Sequence, residues 1–583
     1  MNERLLNYLR ENGLLTQQQA EELAGEYQST HRPVRDLILE KGYLTEEQII
    51  EGLSAVSHIP TVNLYDVSIP MEIRTLMRPE LLRKNLVIPF GYEDEDNRTI
   101  KVAINDPMNM KGRDIVATAA KCRVKVYLTT SANILLAIDR YYGTEEMQEA
   151  AELYTQTREE EEQTSIEDEL LQDDISNSPV VVLVNSMIEQ AIRQRSSDIH
   201  VEPEADRIRV RCRVDGILYQ TATYDLRLLP SIVTRIKIIS GLDISEKRKP
   251  QDGRFSVMVD NREYDIRVST LPTVYGEKCE LRLAPRKVLT RSKRELGLTD
   301  EDLKKFDRML SKPNGIVLVT GPTGSGKSTT LYTALSELNS DEVNIVTVED
   351  PVEANLDGVN QVQVNPKANL TFANTLRSIL RQDPDIIMIG EIRDSETASI
   401  AVQASITGHL VVSTLHTNDT ASSVTRLLDM GVESYLIADA TTGIIAQRLV
   451  RCLCPNCKKM RPLKEHEAAY LGLTGDEWKT VQVGEPVGCV RCGGTGYYGR
   501  TGVYEIMEIS PTIRTMISHR ADTGELRRRA IEEGMCTIKD NARKLVLEGK
   551  TSLSELQRIT AEELFDEPGG GEQEGKAANE YTA

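Results

Sequence analysis

Apolar positions recur at helical spacing in two related stretches, LLNYLRENGLLTQQQAEEL and VRDLILEKGYLTEEQIIEGL, with Gly13 and Gly42 at matching places. Each predicts a helix, a glycine stop and a Leu-Thr restart into a second helix, with Thr16 and Thr45 as N-caps. Two copies are too few for a solenoid. From Thr61 to about Tyr142 the pattern mixes, and the apolar runs LVIPF and IKVAI predict strands. Residues 1–142 are therefore expected to form an α+β N-terminal domain with a regulatory or docking role.

A second domain is expected over 179–290. It opens with the helical VVVLVNSMIEQAIRQR, followed by SSDIHVEP and the alternating run Ile208-Arg209-Val210-Arg211-Cys212-Arg213-Val214, which ends at the hairpin turn Asp215-Gly216. That alternation puts Ile208, Val210, Cys212 and Val214 on one face and three arginines on the other. Further on, Asp260-Asn261 predicts a turn between two more strands. Over 291–567 the short apolar runs GIVLVT, NIVTV, DIIMI and LVVSTL alternate with helical stretches, the signature of an α/β domain built on a parallel sheet.

At 583 residues the chain has length for about four folding units. Its net charge of −20 is unevenly placed: residues 143–178 carry −12 and residues 561–583 carry −6, leaving −2 for the rest. The first segment (TREEEEQTSIEDELLQDDISNSP) is expected to be a flexible acidic linker, and 568–583 a disordered tail. A near-neutral body lacks the Lys/Arg footprint of broad nucleic-acid binding, so no direct nucleic-acid partner is expected. With no apolar run near ~20 residues and no apolar leader after MNERLLNYLRENG, the expected location is the cytoplasm.

The densest chemistry lies in Gly321-Pro322-Thr323-Gly324-Ser325-Gly326-Lys327-Ser328-Thr329, a G-x-x-x-x-G-K-[ST] loop between a strand and a helix. Its glycines let backbone N–H groups turn toward phosphates, Lys327 reaches the β/γ-phosphates, and Ser328 is placed to ligate Mg²⁺. Two other strands run into acids: NIVTV into Glu349-Asp350-Pro351, and DIIMI into Gly390-Glu391-Ile392-Arg393-Asp394. A carboxylate at such a strand end can hold Mg²⁺ or orient an attacking water. His409 and His416 bracket one short strand and are candidates for sensing the nucleotide state.

Of nine cysteines, four form Cys454-Pro-Asn-Cys457 and Cys489-Val-Arg-Cys492. Two C-x-x-C knuckles suit tetrahedral Zn²⁺, each placing two thiolates on one tight turn, with a helical hairpin (EHEAAYLGLTGDEW) expected to fill the insert over 452–500. Cys452 is a near neighbour, while Cys122, Cys212, Cys279 and Cys536 read as core residues.

From about Pro179 to Leu564 the chain resembles the type II secretion and type IV pilus assembly ATPases, hexameric motors of the secretion superfamily. GPTGSGKST resembles their Walker A, VTVEDPVE their Asp box, IIMIGEIRDSETA their Walker B and TGHLVVSTLHTND their His box. The resemblance implies a RecA-like P-loop ATPase domain preceded by a smaller PAS-like α/β domain. It implies Glu349 as catalytic base, Glu391 as the magnesium-associated acid, and the tetracysteine zinc insert. It also implies a homohexamer that assembles pilus or pseudopilus subunits against an inner-membrane platform protein, held at the inner face of the cell membrane through partners only. The runner-up functions are a second-messenger-regulated nucleotide-binding module and a DNA translocase. Against cyclic di-GMP, whose family sequence is of the R-x-G-x-x-L type, the first repeat keeps Arg4 but has Leu6 at the glycine position. The second has Pro33 and Arg35 where Arg and Gly belong. Finally, Arg254 of QDGR and Arg267 of DIRVS are candidates to offset charge on the transferred phosphoryl, since the P-loop has no arginine of its own; the resemblance brings both toward the γ-phosphate on closure.

Overall fold

The computed structural model describes residues 2–564 other than 31, 68, 94–97, 144–178, 261, 286–291 and 490. The expected linker, apart from Gly143, and the expected tail lie outside the described residues, as does Asn261 of the expected turn. By density of contacts the chain divides into two units. One comprises Met1–Val214, Leu218–Phe255 and Arg267–Arg282, the other Asp215–Ile217, Ser256–Ile266 and Leu283–Ala583. No helix among the described residues is long and apolar enough to cross a membrane.

The N-terminal repeats form helices Asn2–Glu11, Gln17–Thr30, Val34–Glu40 and Glu46–Ser57. Gly13 and Gly42 end the first and third at φ of 71° and 67°, conformations that a side chain disfavours. The Thr45 hydroxyl and Gln48 side chain cap each other's backbone N–H, and Thr16 with Gln19 does the same. These helices share one core with a three-stranded sheet of β1 (Val87–Tyr92), β2 (Thr99–Ile104) and β3 (Arg123–Leu128), with β2 in the middle.

After the helix Pro179–Arg193 comes a six-stranded sheet of β4 (Ser196–Pro203), β5 (Arg207–Val214), β6 (Ile217–Asp225), β7 (Gln251–Val259), β8 (Arg262–Thr273) and β9 (Gly276–Pro285), in the order β6-β5-β4-β9-β8-β7. Ile208, Val210 and Cys212 are buried as the alternation predicts, whereas Val214 is half-buried at the strand end. The arginine face is ion-paired: Arg211 reaches Glu202 at 2.7 Å, Arg209 reaches Glu204 at 2.9 Å and Arg213 reaches Asp198 at 3.5 Å. Burial opposes the charge on Glu202, yet Arg211 and Lys278 hold its carboxyl at about 2. Ile266 and Val268 are buried on either side of half-buried Arg267, and Arg254 is exposed on β7.

The remaining strands are β10 (Gly315–Thr320), β11 (Ile345–Glu349), β12 (Asn360–Gln363), β13 (Ile386–Ile389), β14 (Leu410–Leu415), β15 (Thr441–Leu453), β16 (Lys459–Pro462), β17 (Gln482–Glu485) and β18 (Tyr497–Glu508). Seven make one sheet in the order β12-β11-β13-β14-β10-β15-β18, parallel except for the antiparallel pairing of β15 with β18. Every residue of β10, β11, β13 and β14 is buried, because helices cover both faces of a parallel sheet. That burial explains why these runs show no alternation in the sequence.

Candidate functional site

Parallel strands end together, so the carboxyl ends of β10, β13, β14 and β11 bring their following residues to one edge of the sheet. At the end of β10 the loop turns into the helix Lys327–Leu338, with Gly326 as its N-cap at φ 90°. A Cβ on Gly321 would stand 2.4 Å from the Gln447 carbonyl, so only glycine lets the loop pass β15 this closely. Thr323, Gly324, Ser328 and Thr329 are exposed, Pro322 is half-buried, and Ser325 is buried with no hydrogen-bond partner for its hydroxyl. Lys327 is buried and folds back on the loop, donating to the carbonyls of Gly321 at 2.8 Å and Pro322 at 3.2 Å. Burial pulls its ammonium down to about 8, with Glu391 opposing and Arg448 adding to the fall. A lysine held by its own loop's carbonyls, rather than by a carboxylate, is free to exchange them for phosphate oxygens.

Val348 and Ile389 pair across β11 and β13, and a Cβ on Gly390 would lie 3.3 Å from the Glu349 Cα. The two candidate acids therefore leave adjacent strand ends. Glu349 is 3% exposed. Its Oε1 accepts from the Thr347 hydroxyl at 2.6 Å and the Gln361 amide at 3.1 Å, and its Oε2 accepts from the Tyr332 hydroxyl. Glu391 bonds Arg393 through Oε1, and its Oε2 lies 3.0 Å from His416 Nε2. Asp394 instead caps the helix Ser395–Ile406, accepting from Thr397 N at 2.8 Å.

His416 thus joins the cluster, and His409 does not. The two histidines do sit at opposite ends of β14, and that placement separates them: the His409 carbonyl accepts from Gly315 N at the start of β10, and its ring Nδ1 lies 2.9 Å from the Ala404 carbonyl. Arg254 and Arg267 belong to the unit that does not hold the P-loop.

Cys454, Cys457, Cys489 and Cys492 converge, all four sulfurs lying within 4.8 Å of one another. The Cys454–Cys489, Cys457–Cys492 and Cys489–Cys492 separations of 3.7, 3.9 and 3.8 Å match the ~3.8 Å edge of a tetrahedron with zinc–sulfur bonds of about 2.3 Å. The backbone N–H groups of Cys489 and Gly496 each donate to Cys492 Sγ at 3.1 Å. The residues therefore fit structural zinc. Between the knuckles, β16 and β17 pair in a two-stranded sheet, and the segment joining them holds the helix Glu465–Tyr470 and a short 3-10 helix at Glu477–Thr480 in place of two full helices of a hairpin. Cys212 and Cys279 are buried as expected of core residues, but Cys122 and Cys536 are only half-buried.

Residues 173–558 match the family described as Type II/IV secretion system protein, and residues 57–148 match the MshEN domain. The chain belongs to the type II/IV secretion system protein family. Over 570 residues it is 39% identical to the type IV pilus assembly ATPase PilB of Myxococcus xanthus, covering 97% of this chain and all of that one. It is 48% identical over 406 residues to type II secretion system protein E of Aeromonas hydrophila, covering 69% and 79% of the two chains. The fold of the ATPase DotB of Yersinia pseudotuberculosis covers 65% of this chain and 93% of its own at a TM-score of 0.50 and 22% identity. As a secretion ATPase the chain uses ATP and Mg²⁺.

Several residues of this secretion ATPase site escape a reading by motif. Gln447 Oε1 accepts from the Thr330 hydroxyl at 2.8 Å, and Arg448 reaches Asn418 Oδ1 at 2.9 Å, so the edge of β15 ties the P-loop helix to the segment after His416. Both are buried between the apolar runs Ile444–Ala446 and Leu449–Val450 of their strand, and that polar pair inside TTGIIAQRLV is the signal that could have found them. Tyr332 is another: it reads as one more apolar position of a helix.

Proposed function

We propose that this chain is a homohexameric cytoplasmic motor that couples ATP hydrolysis to the assembly of type IV pilus or type II secretion pseudopilus subunits, acting at the inner face of the cell membrane on an inner-membrane platform protein. The convergence of Lys327, Glu349 and Glu391 at one sheet edge carries the hydrolytic half of this reading. The end-to-end match with a type IV pilus assembly ATPase supports the rest.

In this reading Lys327 leaves the Gly321 and Pro322 carbonyls for the β/γ-phosphates, and the backbone N–H groups of 323–329 cradle the remaining oxygens. Ser328 and Glu391 would hold Mg²⁺, which would offset charge on the phosphates. Glu349 takes the proton of the attacking water, and His416 reports the state of Glu391 through their shared contact. Arg254 and Arg267 supply positive charge to the transferred phosphoryl when their unit closes, coupling closure to chemistry. His409 stands at the far end of its strand and takes no part in the chemistry. Lys327→Ala should weaken ATP binding and abolish turnover, whereas Glu349→Gln should keep ATP and fail to hydrolyse it. Equal turnover by Glu349→Gln and the parent would move the base to Glu391.

A further inference from the structure

Tyr332 is 2% exposed and stands on the P-loop helix one turn beyond Ser328, on the same face. Its hydroxyl donates to Glu349 Oε2 and accepts from the backbone N–H of Glu353 at 3.2 Å, so the segment after β11 closes around it. Burial, followed by the Glu349 carboxylate, pushes the phenol well above its ordinary range, so it remains a proton donor throughout the physiological range. A carboxylate offers roughly four acceptor directions. Thr347 and Gln361 take both on Oε1 and Tyr332 takes one on Oε2, which, among the described residues, leaves a single direction, on Oε2, for a water.

We infer that Tyr332 is a positioning residue for hydrolysis: its hydroxyl fixes which lone pair of Glu349 faces the attacking water and ties that geometry to the helix that holds the phosphates. The inference rests on Glu349 as the base. A base aimed by three donors needs little reorganisation at the moment of reaction, and a small loss of aim costs rate rather than affinity.

The test is steady-state ATP hydrolysis by the full chain, with ADP affinity and thermal unfolding measured on the same preparations. Tyr332→Phe keeps the ring and removes one oxygen. It should lower kcat about tenfold or more with KM and ADP affinity within about twofold of the parent. Tyr332→Phe/Glu349→Gln should be no slower than Glu349→Gln alone, because the hydroxyl acts only through that carboxylate. Thr347→Val, which leaves Gln361 on Oε1, should lose less kcat than Tyr332→Phe. Parental kcat in Tyr332→Phe overturns the proposal, as does a loss of ADP affinity or folding that accounts for the lost rate. A larger kcat loss in Thr347→Val would place the water on Oε1 and overturn it too. Parental turnover in Glu349→Gln removes the base reading itself, an outcome distinct from all of these.

Discussion

The charge on Lys327 is set by the fold, and nucleotide affinity should therefore carry a pH dependence of predictable sign and size. Burial beside the loop brings its ammonium to about 8 in the nucleotide-free protein. Phosphates, whose second ionisation falls near pH ~6, are fully charged above pH ~7, and contact with them holds the ammonium protonated to higher pH. The bound state thus keeps a proton that the free state sheds above about 8, so affinity is level below that pH and falls above it. At pH ~9 the free protein is about ten parts deprotonated to one protonated, which lowers ADP affinity about tenfold, or ~1.4 kcal/mol. Equilibrium titration of a fluorescent ADP analogue between pH ~7 and ~9.5 at fixed ionic strength reads this directly. Lys327→Ala, weaker throughout, should show no such decline. A parental affinity that holds constant across this range, or a decline of the same slope in Lys327→Ala, refutes the reasoning.

Two further outcomes concern parts of the chain away from that lysine. Cys489→Ser should lower zinc from about one per chain and destabilise the insert by ~2 kcal/mol or more while ADP affinity stays within about twofold; unchanged metal content and melting temperature would rule out the tetrathiolate. Arg254→Ala and Arg267→Ala should each cut turnover of the full chain by about 10²-fold or more with ADP binding nearly intact, and parental rates in both would assign these arginines to a solvated sheet face.

The reach of the sequence follows the distance between interacting residues. The P-loop and the acids at the ends of β11 and β13 are legible because each rests on a local pattern: an apolar run, a glycine turn, a polar residue just beyond. The Thr330–Gln447 bond spans 117 positions and the Arg451–Glu555 bond 104, and no local pattern encodes either. β16 and β17 have four residues each, and β16 ends in proline with none of its residues buried, so neither strand has the alternation that marks a half-buried sheet. The helical segment expected at 465–478 lies between them, as the helix Glu465–Tyr470 and a short 3-10 helix at Glu477–Thr480, and the flanking pair of strands is what the pattern did not reveal. His409 and His416 look alike in sequence because each borders the same strand; six intervening residues of extended chain put them at opposite edges of the sheet.

β15 and β18 run side by side from Gly443–Glu508 to Leu453–Tyr497, with Cys454 following the last pair and Cys492 preceding it. Everything from 454 to 496 therefore leaves and re-enters the ATPase sheet at neighbouring points, and the four sulfurs clasp that gap. Doubling the length of a loop so closed costs only ~0.6 kcal/mol of chain entropy. Length can therefore be added cheaply at the exposed turn 474–476. Leu463, Ala468, Leu471 and Val483, however, share a core with Ala446 and Val450 of β15 and Val503 of β18, so the rest of the stretch between the knuckles is packing for those two strands, and opening the clasp would loosen them.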